Sequence, residues 1–187
     1  MTIFNYAIVN GQLMPLDQAQ ISLFNKAYFS SFGVYESIKV DQGRPFYLEE
    51  HLRRLHASAA RLDLELTADT PILARWFERL AQVEPQATWS LKILVIGPAD
   101  AGTAPIIGMQ ADPLPTYPAV FYETGASAVL YEGQRALPRC KSLNTLVNYL
   151  ARRAATRAGA VEGLLHHHDH LTEARAAICL WCRVDTF

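Results

Sequence analysis

Apolar positions along this chain follow two rhythms, an alternation of period two and a helical spacing of three and four, and their order predicts the elements. Ile3 to Val9, the Asn10-Gly11 pair and Gln12 to Met14 give a β-hairpin, since Asn-Gly supplies the positive φ angles of a tight turn. Ala19 to Ser22 leads into FNKAYFSSFGVYESIKV, in which Gly33 to Val40 is β-branched and aromatic enough for a strand. Gln42-Gly43 turns it back through Pro45-Phe46-Tyr47. Leu48, Leu52, Leu55, Ala59 and Leu62 recur at helical steps and predict a helix over 48–62; Ile72, Leu73, Trp76, Phe77 and Leu80 predict a second from Pro71 to Val83. Trp89 to Ile96 reads as a buried strand ending at Gly97-Pro98, and the proline-rich run MQADPLPTYP, residues 109–118, as a link between two halves.

The second half opens with Ala119 to Leu130 and a Tyr131-Glu132-Gly133 turn. Leu143, Leu146, Val147, Leu150 and Ala154 then form one face of an amphipathic helix. Arg152, Arg153 and Arg157 fall on the other face and towards the C-terminal end, where cations suit the helix dipole. Gly159 is the natural stop and Ser142 a candidate N-cap. Gly163 to His166, an HHHD turn and His170 to Glu173 make a closing hairpin, and no internal repeat is visible. Lys141, just before Ser142, is thereby aimed from a fixed point beside a helix N-terminus, where positive potential and apolar neighbours favour a neutral amine.

Composition narrows the class without naming a chemistry. Across 187 residues, half are hydrophobic and 19% charged, which supports a globular core in one large domain or two small ones. A net charge of -1 with interspersed signs gives no basic footprint for nucleic acid or an anionic membrane. No apolar run reaches spanning length, and MTIFNYAIVNGQ lacks a charged region followed by an apolar one, so a cytoplasmic protein is expected. Cys140, Cys179 and Cys182 are too few for a disulfide framework. His166 to His170 followed by Cys179 and Cys182 invites a zinc reading, but consecutive histidines and one cysteine pair do not make four well-spaced ligands. The expectation is a solvated turn and no metal.

The run Lys141-Ser142-Leu143-Asn144, a helix closing in Ala158-Gly159, and then the apolar hairpin ending Leu171-Thr172-Glu173 is similar to class IV (fold-type IV) pyridoxal-phosphate (PLP) aminotransferases. That family includes branched-chain and D-amino-acid aminotransferases and aminodeoxychorismate lyase, and the KSLN tetrad most resembles the D-amino-acid branch. The resemblance implies that Lys141 forms the Schiff base with pyridoxal 5'-phosphate, and that Glu173 hydrogen-bonds the pyridine nitrogen. HLRRL, residues 51–55, matches the family's His-apolar-x-Arg-Leu pattern and implies that Arg54 grips the cofactor phosphate, a task suited to a guanidinium that keeps its charge and forks onto two oxygens. His51 is expected to pack or cap locally. Val34-Tyr35-Glu36 matches the family's apolar-aromatic-glutamate triplet and makes Tyr35 a candidate wall of the substrate pocket.

Three departures accompany the match. The family's Gly-Asp-Gly before the triplet is Ser31-Phe32-Gly33 here, and LKILVIGPADAG lacks the arginine and histidine with which D-amino-acid aminotransferases trap the substrate carboxylate. Strict D-amino-acid specificity is therefore not expected. Beyond Glu173, EARAAICLWCRVDTF replaces the family's E-G-x-x-S/T-N-apolar-apolar. One back-translation of Glu173 to Thr186, with a single G inserted after the first codon, reads EGPRSNLFVVPGGY and restores that motif. We therefore expect a frameshift near Ala174, a truncated chain, and an apolar tail at Ile178 to Trp181 exposed to aggregation.

What the resemblance implies is an α+β chain: a two-layer N-terminal α/β domain over residues 1–115, then an incomplete C-terminal pseudo-barrel domain, 119–187, whose stretch 174–187 leaves the family pattern. The implied activity is amino-group transfer between an amino acid and a 2-oxo acid, of branched-chain or D-amino-acid type and impaired by truncation, in a homodimer. A PLP lyase on the same scaffold and a non-catalytic remnant without cofactor are the alternatives.

Overall fold

Asn10 and Gly11 adopt left-handed backbone, φ 47° and 83°, and fold β1 (Tyr6–Val9) onto β2 (Gln12–Pro15). The structure is a computed structural model and describes residues 4–84, 87–100 and 102–174. These divide into two compact units. The first runs from the N-terminus to Pro115 and also takes in Arg139–Leu143; the second comprises Thr116–Pro138 and the chain from Asn144 onward.

In the first unit a short helix, α1 (Lys26–Phe29), is capped by Asn25, whose side chain accepts from Tyr28 N–H. It leads into β3 (Gly33–Asp41), the brief β4 (Arg44–Pro45), α2 (Leu48–Ala60), α3 (Thr70–Val83), β5 (Thr88–Ile96) and β6 (Ile106–Asp112). The six strands form an antiparallel sheet in the order β2-β1-β6-β5-β3-β4. Strict alternation on β3 sends Val34, Glu36, Ile38 and Val40 inward, all fully buried. Leu52, Leu55 and Ala59 of α2 and Leu73, Phe77 and Leu80 of α3 fill the core with them. The α3 N-terminus is set by Asp69, whose carboxylate accepts from Ile72 N–H at 2.8 Å, with a proline in the first turn. Trp89, fully buried, stacks on Phe77 with ring centroids 6.1 Å apart.

In the second unit α4 (Val120–Thr124) precedes β7 (Ala128–Glu132), α5 (Leu146–Arg157), β8 (Glu162–His167) and β9 (His170–Ala174). β7 and β8 pair in parallel, with α5 as the crossover, and β9 adds antiparallel to β8. Helix and strand approach so closely at Gly163 that a Cβ there would lie 2.6 Å from the Ala151 carbonyl oxygen. His168, φ 50°, turns β8 into β9 at the histidine run.

Four expectations need correction. Residues 109–112 are not part of a linker: Ile107, Met109 and Ala111 alternate inward, so the strand persists until Pro113. The return from Gln42-Gly43 is only Arg44–Pro45, because Tyr47 takes left-handed backbone, φ 52°, and opens α2. The last helix starts at Leu146, not after Ser142; its N-cap is Thr145, and Ser142 is buried in a β-bridge with Val34. Its buried face is Asn148, Ala151 and Ala155, small enough for the close approach to β8, while Leu146 is 64% exposed. The tail from 175 onward, with Cys179, Cys182 and the apolar stretch Ile178 to Trp181, lies outside the described residues. Among the described residues no helix is long and apolar enough to cross a membrane, and no three His, Cys, Asp or Glu gather into a metal-holding set.

Glu84, only 2% exposed, holds β1 in place: its Oε1 accepts from Asn5 N–H at 2.7 Å and Tyr6 N–H at 2.8 Å. Glu84→Ala removes two hydrogen bonds to a charged acceptor and should cost about 2–4 kcal/mol. Urea unfolding should show a lower midpoint at unchanged slope, and Glu84→Gln should retain part of the loss.

Candidate active site

Backbone fixes Lys141. Its carbonyl accepts from Tyr35 N–H at 3.0 Å and its own N–H donates to Ser58 Oγ at 3.2 Å. Two residues on, Leu143 N–H donates to the Gly33 carbonyl at 2.9 Å. On either side of these bonds the Cys140 thiol donates to the Ser58 carbonyl at 3.4 Å, and the Arg61 guanidinium donates to the Arg139 carbonyl. The segment is thus an added edge on β3, tied down by α2, and Lys141 is not held by a helix N-terminus. Its Nζ lies 4.7 Å from the centroid of the Tyr35 ring, within reach of a cation–π attraction. Tyr35 and Lys141 are both partly exposed.

The residue after Tyr35 points to the other face of the sheet. Glu36 is fully buried, and its carboxylate meets three donor groups from one face of α2. Arg54 Nε donates to Oε1 at 2.6 Å, Arg54 Nη2 to Oε2 at 2.7 Å, and His51 Nδ1 lies 2.9 Å from Oε2. A buried carboxylate accepts only, so the facing Nδ1 carries the proton, and the 3.2 Å approach of Arg54 Nη2 to Nδ1 is a contact between two donors. The Glu36 hydrogen bond raises the Arg54 pKa beyond its ordinary value, with burial opposing it. Desolvating that carboxylate is tolerable only because the paired guanidinium and the imidazole satisfy it. The fork uses one edge of Arg54. Nη1 has no hydrogen-bond partner among the described residues, and the side chain is 51% exposed, so the outer edge is open to an anion.

In the second unit, Glu173 sits on β9 opposite Leu165 and is partly exposed. Arg135, whose side chain is 5% exposed, lies 3.7 Å away, Nη1 to Oε1, at ion-pair distance.

The four residues singled out from the sequence divide between the units. Lys141 and Tyr35 come together, Arg54 joins Glu36, the neighbour of Tyr35, and Glu173 belongs to the second unit with Arg135. Glu36, His51 and Arg135 were missed as polar partners. A signal for the first was present: a carboxylate at an inward position between Val34 and Ile38, with His51 and Arg54 one turn apart on the next helix.

Gly33 is the point where the Lys141 segment can be dislodged. A Cβ there would meet the Val95 carbonyl oxygen and, at 2.7 Å, Leu143 Cδ1. Gly33→Ala should cost about 1–3 kcal/mol through overpacking. Hydrogen exchange should show protection lost at the Tyr35 and Leu143 amides, with the rest of the sheet protected.

Comparison with known proteins gives this geometry a context. The family model for amino-transferase class IV matches residues 33–187. The chain is 30% identical over 182 residues to a D-alanine aminotransferase of Listeria monocytogenes serotype 1/2a (strain 10403S), covering 91% of this chain and 62% of that relative. A hypothetical aminotransferase from Mycobacterium tuberculosis, solved in a PLP-bound form, superposes with a TM-score of 0.76 at 25% identity, covering 91% of this chain and 65% of that one. The fold also matches a branched-chain aminotransferase from Thermoproteus uzoniensis, with a TM-score of 0.81 at 17% identity over 92% of this chain and 63% of that one. The chain thus spans about 62% of the length of the curated relatives it matches. With the family model running from the start of β3 through both units, this chain belongs to the class IV aminotransferases.

Proposed function

We propose that this chain carries cofactor-holding residues of a PLP-dependent aminotransferase, one that moves an amino group between an amino acid and a 2-oxo acid of branched-chain or D-amino-acid type. The observation that carries this reading is a primary amine, Lys141, whose backbone is pinned by β3 and α2 while its side chain stays partly exposed over Tyr35. Taken one at a time, the residues suit the groups of PLP that the family resemblance implies for them: a tethered amine for its aldehyde, a guanidinium with an open edge for its phosphate, and a partly exposed carboxylate for its ring nitrogen. When bound, PLP supplies an electron sink for the charge released by α-deprotonation.

The chain's own residues do the rest. Lys141 would hold the aldehyde of PLP through its amine and would take and return the α-proton of the substrate. Its fixed backbone restricts where that proton can be collected. Glu173, 3.7 Å from Arg135, would hold a proton on the ring nitrogen. Arg54 binds phosphate through its outer edge, and Tyr35 forms a wall of the substrate site beside Lys141. Absence of an arginine or histidine from LKILVIGPADAG favours a substrate whose carboxylate is read by other groups. The exposed apolar residues Leu23 (75%), Phe24 (89%) and Phe29 (88%) favour a homodimer.

Two measurements check this. Titrating the purified chain with PLP should give a visible absorbance band that borohydride makes permanent and Lys141→Ala abolishes; no Lys141-dependent band overturns the assignment of the amine. Sedimentation should show a dimer that Leu23→Ser with Phe24→Ser weakens by about tenfold or more, given two lost apolar contacts of about 1–2 kcal/mol each.

A further inference from the structure

We propose that Glu36 is the positioning residue for Arg54: a fully buried carboxylate that grips one edge of the guanidinium so that its outer edge is presented to a phosphate. The inference rests on the reading of Arg54 as the phosphate ligand and deepens it.

The argument is geometric. An arginine on an exposed helix face has several rotatable bonds and samples many orientations; a bidentate bond through Nε and Nη2 at 2.6 and 2.7 Å selects one. The clamp is itself rigid. Glu36 belongs to a strand paired along its whole length with β5, its carboxylate is inaccessible to water, and His51 Nδ1–H occupies Oε2 from the same helix that carries Arg54. Arg54 is therefore not free to swing outward, and the ordering entropy of the guanidinium is spent on folding instead of on ligand binding. A carboxylate so near a phosphate-binding cation also lowers the net positive charge there. Position and charge thus make opposite predictions. If Glu36 acts by position, its loss weakens phosphate binding; if it acts only by charge, its loss strengthens it.

The test compares PLP with pyridoxal, which lacks the phosphate, as ligands of the full chain, read by absorbance or by quenching of tryptophan fluorescence. Wild-type protein should prefer PLP, and Arg54→Ala should erase the preference. Glu36→Gln should cut affinity for PLP by about tenfold, the usual order for removing the outer partner of a ligand-binding side chain, while leaving pyridoxal binding unchanged. Glu36→Asp keeps the charge and withdraws the carboxylate by one methylene; it should also lose preference for PLP, and it stands in should Glu36→Gln fail to fold. An unaltered or enlarged PLP preference in the Glu36 variants, with Arg54→Ala still erasing it, overturns the positioning role and leaves the phosphate reading intact. Equal weakening of both ligands makes Glu36 merely structural and overturns the proposal. No preference for PLP in the wild type overturns the proposal and the phosphate reading together.

Discussion

A short antiparallel bridge, Val34 against Ser142, fixes the position of the Lys141 segment. It is made of backbone hydrogen bonds between Gly33–Tyr35 and Lys141–Leu143, so it specifies the height and direction of Lys141 with little dependence on side-chain packing. The same three residues of β3 do several jobs in succession. Gly33 leaves room for Leu143, Val34 enters the core, and Tyr35 sets its ring 4.7 Å from the Lys141 Nζ. A lysine placed in this manner carries a partly exposed side chain on a backbone held from both sides.

Much of this was legible in the chain. Hairpin and helix signals are strong where local chemistry decides: Asn10-Gly11, Gln42-Gly43 and Gly159 all take left-handed backbone, and α2 and α3 fall within a few residues of their apolar periodicity. The failures share a cause, which is tertiary pairing overriding a local signal. Ser142 is a good cap by type, but β3 recruits its backbone into a bridge and the helix waits for Thr145. Met109 to Asp112 stand next to two prolines and look like a link, but β5 offers them a full register of hydrogen bonds. The apolar stripe through Leu146 and Leu150 is helical in spacing, yet the crossover needs small residues against Gly163, so Ala151 and Ala155 turn inward instead.

The site residues show the same limit. Family-like spacing was sufficient to single out Lys141, Tyr35, Arg54 and Glu173, and chain order said nothing of what each would touch. The partner of Arg54 is 18 residues away across a strand and a turn, and that of Glu173 is a buried arginine from before α5. Both partners are charged residues kept from water, a state that a sequence pattern assigns only when a counter-charge of known position is in view.

The Ser58–Lys141 hydrogen bond joins points 83 residues apart, so it closes a long excursion of the chain. Closing a flexible loop of that size costs about 4 kcal/mol of entropy, recovered only after β3 and α2 exist to receive the segment. Contacts of this separation form late in folding. Until they do, Lys141 is an ordinary solvated amine with no preferred direction. The distinctive placement of that amine is therefore a property of the finished fold alone, set by contacts that no local stretch of the chain can make by itself.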